Sequence, residues 1–125
     1  MPLVLIDTSV WTHALRRNGD PQVRDRVQLL MANGQAAWCD AVRLELWNGV
    51  RGEAERKKLK ELESLLPSLP INADVWSDSC HLAELARTSG LNVPAIDLIV
   101  FSCARHHGVK VEHADKHYIL LEQLK

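Results

Sequence analysis

The 125-residue chain is 46% apolar and 25% charged, proportions that exclude a disordered polymer and fit one folded domain, expected to span residues 1–125. Fifteen Lys and Arg against sixteen Asp and Glu leave a formal net charge of −1. That balance excludes a strongly basic nucleic-acid binder and a polyacidic tail, while leaving a local basic patch open.

Leu3-Val4-Leu5-Ile6 is a continuous apolar run of strand length, as in a parallel strand covered on both faces, and it stops at Asp7-Thr8-Ser9. Asp7 is thereby expected at a strand's carboxyl end. The run is far too short for a secretory core or a membrane span, so a cytoplasmic protein with no membrane attachment is expected. Val10, Trp11, Ala14 and Leu15 follow at helical spacing. Asn18-Gly19-Asp20-Pro21 closes that helix and opens a second, with Val23, Val27 and Leu30 as its stripe and Asn33-Gly34 as its stop. Ala36 to Cys39 reads as a short strand, after which Asp40 is expected to cap a helix reaching about Asn48. On that helix Ala41, Glu45 and Gly49 share one face, so Glu45 projects from a stripe of small residues.

Glu53 to Leu66 predicts a helix with Leu59, Leu62, Leu65 and Leu66 inward. Its Arg56, Lys57, Lys58 and Lys60 are interleaved with acids and are read as a solvated face. Leu69-Pro70-Ile71 suggests a short edge strand, and Asn72 caps a helix carrying Val75, Trp76, Leu82, Leu85 and Ala86 up to Gly90. Pro94 opens an apolar helix from Ala95 to about His107, closed by Gly108, with Asp97 in its first turn. Lys110 to His113 is the expected last strand, with Asp115 just beyond it. Strands alternating with helices predict an α/β fold, a three-layer α/β/α sandwich around a mostly parallel sheet, with sites gathered outside the strands' carboxyl ends.

Cys39, Cys80 and Cys103 are odd in number and widely spaced, so they are read as buried core residues rather than disulfide partners or zinc ligands. Trp11, Trp38, Trp47 and Trp76 are assigned to core or dimer packing, with Trp47 the one placed to touch RNA or a protein partner. His106, His107, His113 and His117 are not taken as a transition-metal site, since the first pair closes a helix, where histidine favours the negative end of the dipole. The acids carry more. Asp7, Glu45, Asp97 and Asp115 occupy strand ends or helix starts, with Asp7 and Asp115 expected at the same edge of a parallel sheet, and are read as a converging cluster. Four carboxylates cannot stay ionised together in a low-dielectric cleft without a cation, because each repulsion at ~4 Å costs several kcal/mol even at an effective dielectric of 20. The expected occupant is a hard, oxygen-preferring ion, Mg²⁺ or Mn²⁺.

These residues also carry a family resemblance over the whole chain. Leu5-Ile6-Asp7-Thr8-Ser9-Val10, Arg43-Leu44-Glu45-Leu46-Trp47-Asn48-Gly49, Gly90 to Asp97 with Ile99 and Ala104, and His113-Ala114-Asp115-Lys116-His117-Tyr118 resemble, in order, the four motifs of the PIN-domain ribonucleases. The resemblance is nearest to the VapC-type toxins of bacterial and archaeal toxin–antitoxin modules. It departs in the fourth motif, where His113 stands in place of the usual Thr and Tyr118 in place of Phe. The resemblance implies metal-dependent hydrolysis of RNA phosphodiesters, with Asp7 and Asp97 as direct metal ligands, Asp115 either a ligand or the holder of a metal-bound water, and Glu45 an outer-sphere ligand or the group orienting the attacking water. It also implies a small VapB-like antitoxin that blocks the site, and a homodimer. Ser9 is expected to hydrogen-bond a carboxylate or a metal-bound water, His113 to support the site, and Arg16 or Arg17 to reach a phosphate.

Two other acidic Mg²⁺ pockets fit less well. A receiver-type phosphoacceptor domain needs a second acid beside the strand-end Asp, and a haloacid-dehalogenase phosphatase needs Asp-x-Asp; Thr8 and Ser9 occupy those positions. A PIN fold that has lost activity and serves as a binding module is the non-enzymatic alternative. With the four acids set aside the remaining chain carries +3, and residues 1–60 hold ten Lys and Arg against seven Asp and Glu. The charge is thus that of an acidic pocket offset by a modestly basic N-terminal half, compatible with an RNA partner.

Overall fold

A computed structural model describes residues 2–124. The elements are β1 (Val4–Ile6), α1 (Thr8–Leu15), α2 (Pro21–Ala32), β2 (Ala36–Ala37), α3 (Asp40–Asn48), α4 (Gly52–Leu65), α5 (Ala73–Thr88), α6 (Ala95–His107), β3 (Lys110–Glu112) and α7 (Lys116–Glu122). The three strands form one parallel sheet in the order β2-β1-β3. Val4, Leu5 and Ile6 are all buried, as required of a central strand covered by helices on both faces. The α/β/α sandwich and parallel sheet expected from the sequence are therefore present.

Register positions the chemistry. Ile6 pairs with Glu112, and the next amide, that of Asp7, donates to the Glu112 carbonyl at 3.0 Å. Asp7 thus leaves the sheet at the same edge as the segment that leads from β3 to Asp115. Helix α6 lies deep in the molecule, with every residue from Asp97 to Ala104 buried, so its expected apolar character follows from burial all round. It ends at Gly108, whose φ of 66° is the left-handed conformation that lets its amide reach back to the Ala104 and Arg105 carbonyls. Trp11 and Trp38, each 1% exposed, meet edge to face at 6.3 Å, burying on the order of 5 kcal/mol of transfer free energy apiece.

Five expectations are corrected. Leu65, expected inward on α4, is 65% exposed, whereas Leu59 and Leu62 are buried. Leu69-Pro70-Ile71 forms no strand; the only pairing there is an isolated bridge between Trp38 and Ser68. Leu69 donates to the Trp38 carbonyl, and Trp38 to that of Pro67, but Pro70 has no N–H with which to extend the ladder. Cys80 is exposed while Cys39 and Cys103 are buried, because Cys80 lies off the α5 face formed by Val75, Ser79, Leu82 and Ala86. Trp76, one turn before it, is likewise 51% exposed and belongs to no core. Finally, Asp40 is not the cap of α3: Cys39 holds that position without a side-chain bond, and Asp40 sits in the first turn, favourable to the helix dipole. The sequence reading also missed α7, which proves central to the site.

Candidate metal centre and nucleic-acid cleft

Asp7 follows β1 and caps α1, its side chain accepting the Ser9 amide at 3.1 Å. The same oxygen, Oδ2, accepts the Ser9 hydroxyl at 2.7 Å, and that hydroxyl in turn accepts the Ala114 amide at 3.0 Å. Ser9 therefore binds a carboxylate, as expected, and also ties the loop after β3 to the end of β1. The other Asp7 oxygen, Oδ1, accepts the Tyr118 hydroxyl at 2.6 Å; the same hydroxyl stands 3.5 Å from Asp97 Oδ1. Asp7 is 2% exposed and Asp97 7%. Two acids at that depth are tolerable only with charge-assisted bonds or a cation.

Asp97 projects from the first turn of α6. Burial, with the nearby charges of Asp7, Asp115 and Glu45 acting in the same direction, pushes its carboxyl up to about 7; His117 opposes the shift. Asp115 caps α7 and accepts the His117 amide at 2.9 Å. Burial raises its carboxyl, but the His117 amide, the His117 ring and the contact with Asp97 outweigh that and hold it below the usual range. Glu45, half-buried on α3, accepts the Thr8 hydroxyl at 2.7 Å. The four predicted acids thus converge. Among the described residues no Lys or Arg forms an ion pair with any of them.

Three residues of this centre were not singled out from sequence as site residues. His117 Nδ1 lies 2.6 Å from Asp115 Oδ1 and 3.4 Å from Asp97 Oδ2. One ligand atom each from Asp97, Asp115 and His117 fall within 4.8 Å of one another, a grouping able to hold a metal ion. Tyr118, 1% exposed, is more than a conservative stand-in for Phe, since its hydroxyl bonds Asp7; burial and the Asp7 charge push that phenol far above its ordinary value. Thr8 anchors Glu45. The signal for all three was their adjacency to Asp7 and Asp115 in sequence, at offsets that a helix cap folds back onto the acid.

His113 stands at the edge of the centre. Its ring packs on Tyr118 at 4.9 Å, and its Nδ1 faces the Asp115 amide at 3.5 Å. Arg16 lines a small cleft of about 40 Å³ with Thr8, Thr12, Glu45 and Gly49. Arg17 does not join it. With Arg24, Arg51 and Lys58 it lines a separate groove of about 380 Å³, and Leu15 and Glu55 border both spaces. A Cβ added at Gly49 would meet nothing nearer than the Glu45 carbonyl oxygen at 3.5 Å, so the surface beside Glu45 is open. Trp47 donates to Glu63 at 3.0 Å, with the Lys60 ammonium 5.4 Å from its ring centre, which makes it a structural anchor between α3 and α4. Two roomier apolar grooves, about 350 and 460 Å³, include none of the four acids. No described helix is long and apolar enough to cross a membrane.

Known proteins resemble this chain in sequence and in fold. The chain is 25% identical to Ribonuclease VapC11 of Mycobacterium tuberculosis over 98% of its own length and 93% of that protein. It is 29% identical to Ribonuclease VapC21 of the same organism over 78% of this chain and 73% of that one. Among solved structures, FitAcB from Neisseria gonorrhoeae superposes with a TM-score of 0.76 at 20% identity, covering 98% of this chain and 94% of the other. VapBC2 from Rickettsia felis, bound to a DNA fragment from its promoter, gives 0.74 at 16% identity over 94% and 91%. The model of the PIN domain matches residues 4–122, a span that takes in all four acids, and this chain belongs to the PIN domain family.

Proposed function

We propose that this protein is a metal-dependent endoribonuclease, the toxin of a toxin–antitoxin pair. The observation that carries the reading is the convergence of Asp7, Glu45, Asp97 and Asp115 with no Lys or Arg paired to them among the described residues, in a PIN chain whose curated relatives are named VapC ribonucleases. The residues fit a divalent cation: Asp97 Oδ2 is buried with no hydrogen-bond partner among the described residues, and the groups around Asp97 are His117 and the carboxylates of Asp7, Asp115 and Glu45.

Asp7, Asp97 and Asp115 would hold the ion, which when bound supplies Lewis-acid polarisation of the phosphodiester and makes water a competent nucleophile near neutral pH. The chain supplies the rest. Ser9 and Tyr118 fix both oxygens of Asp7, so that carboxylate is oriented before any ligand arrives. Glu45, held by Thr8 through one oxygen, has the position and chemistry to orient a water and take its proton. Arg16, across the small cleft, offsets phosphate charge, and the groove of Arg17, Arg24, Arg51 and Lys58 continues as a track for the RNA backbone. The cleavage leaves a 5′-phosphate and a 3′-hydroxyl.

By extension from a solved relative described as a member of the VapBC family of toxin–antitoxin systems, the protein partner is an antitoxin; that it is small and VapB-like, that it covers the acidic cleft and that the toxin forms homodimers are what the family resemblance implies. A single folded domain over residues 1–125 and a cytoplasmic location complete the reading. The test is cleavage of structured RNA by purified protein in Mg²⁺ or Mn²⁺, against chelator and against Asp7→Asn and Asp97→Asn. Expected is cleavage by the wild type alone and only with metal; equal inertness of all three across several RNAs would refute it. Expression in a bacterium should arrest growth, and Asp97→Asn should relieve the arrest.

A further inference from the structure

The acidic centre contains a nitrogen that a carboxylate-only site would not need. Asp115 caps α7 by accepting the amide of His117, and the resulting turn swings the imidazole back over the acids. Its Nδ1 reaches 2.6 Å from Asp115 Oδ1 and 3.4 Å from Asp97 Oδ2. Neither approach has the angle of a hydrogen bond. Nδ1 and Asp97 Oδ2 are both buried and lack a hydrogen-bond partner among the described residues, although buried polar atoms are ordinarily paired.

Two unpartnered polar atoms facing one spot, with a third carboxylate oxygen beside them, describe the corner of a coordination shell. Donors each ~2.1 Å from a shared ion and at right angles to one another stand about 3 Å apart, a value between the 2.6 and 3.4 Å separations seen here. The other nearby histidine is otherwise engaged: His113 lies against the Tyr118 ring and turns its Nδ1 to the Asp115 amide. Only His117 presents a ring nitrogen to Asp97 among the described residues.

We infer that His117 Nδ1 is a metal ligand beside Asp97 and Asp115, making a mixed nitrogen–oxygen site that selects a transition ion such as Mn²⁺ or Co²⁺ over Mg²⁺. The inference rests on the metal-nuclease reading and adds the ligand and the class of ion. Imidazole suits borderline divalent ions, whose affinity for a given site rises along the first transition row, whereas Mg²⁺ is best served by oxygens and its own waters.

The experiment uses metal-stripped full-length protein as wild type, His117→Gln, His117→Asp and His113→Gln, with circular dichroism confirming the fold of each. Calorimetry with CoCl₂ and with MgCl₂ gives both affinities, and pulsed electron paramagnetic resonance of bound Mn²⁺, with histidine labelled by ¹⁵N, reports a directly bound nitrogen. The expected result is a loss of tenfold or more in Co²⁺ affinity for His117→Gln, with Mg²⁺ affinity within threefold of the wild type. His117→Asp should bind Mg²⁺ at least as well as the wild type while losing the preference for Co²⁺. The nitrogen coupling should appear in the wild type and in His113→Gln and vanish in both His117 variants. Parallel losses for the two ions, unchanged affinities, or absent nitrogen coupling in a wild type that binds metal would overturn the ligand assignment and leave the nuclease reading intact. A wild type that binds neither ion would overturn both.

Discussion

Asp97 gives the most exacting test of the electrostatics of the centre. Its carboxyl, pushed up to about 7 by burial and then by the charges around it, is buried to 7% exposure, so solvent does little to screen the penalty. At 1.36 kcal/mol for each tenfold change in proton affinity, moving from 3.8 to about 7 corresponds to about 4 kcal/mol against the ionised form. The sign follows from proton uptake. Between roughly pH 4 and pH 7 the folded chain holds a proton that the unfolded chain has released, so stability falls as pH rises through that window. Asp115, held low instead, contributes stability that is lost only at more acid pH, below the window of Asp97. Replacing Asp97 by Asn removes the ionisable group. In chelator, thermal unfolding of the wild type should therefore lose stability from pH 5 to pH 8.5 by more than Asp97→Asn does. Of that penalty, about 2.7 kcal/mol falls between pH 5 and pH 7, so at about 4 °C per kcal/mol for a chain of this size the difference between the two pH responses is up to ~11 °C. Any packing or amide cost of Asn applies at both pH values and cancels in that comparison. Adding Mn²⁺ at pH 8.5 should raise the melting temperature of the wild type and leave the variant unmoved. Equal pH responses of wild type and variant in chelator would refute the account of a mutually repelling, buried cluster.

Other expectations follow from single contacts. Tyr118→Phe keeps the packed ring but strips Asp7 Oδ1 of its 2.6 Å donor, and urea unfolding in chelator should show a loss of about 1.5–3 kcal/mol. Thr8→Val frees Glu45 and should lower the turnover of RNA cleavage by about 10–100-fold, with KM changed far less. Arg17→Glu and Arg51→Glu in the basic groove should weaken RNA binding uniformly across sequences and flatten its salt dependence by about one contact each, measured by titration at several salt concentrations. Gly108→Ala places a side chain at φ of 66° and should cost roughly 1 kcal/mol without altering metal affinity.

How much could be read from sequence depended on how local the determinant was. The apolar run ending in Asp7 and the Pro94 start before Asp97 are signals written within a few residues, and the structure places both acids where those signals put them. Glu45 was legible because a lone acid interrupts a stripe of small residues on α3. Helix α7 was not, since seven residues with only Tyr118 and Leu121 buried give too little periodicity to recognise. His117 was weighed with the other histidines and set aside, because without the helix nothing in the sequence showed its approach to Asp97, which is set by the Asp115 cap and by contact with α6 across the fold. Tyr118 was read as a ring for a ring; the consequence of its hydroxyl became visible only with Asp7 beside it. The strand expected at Leu69 failed for the opposite reason, a local pattern overruled by the missing donor of Pro70.

The Ser9–Ala114 and Tyr118–Asp7 bonds join positions 105 and 111 residues apart. Chains emerge from the ribosome N-terminus first, and contacts of such separation form late because loop closure must precede them. Asp7, Glu45 and Asp97 are therefore synthesised well before their last partners, and a nascent chain that has not yet exposed Tyr118 holds three acids but no assembled centre. Completion of the cleft thus waits for the synthesis of α7, so a polypeptide stalled before Tyr118 is a fragment without the assembled site.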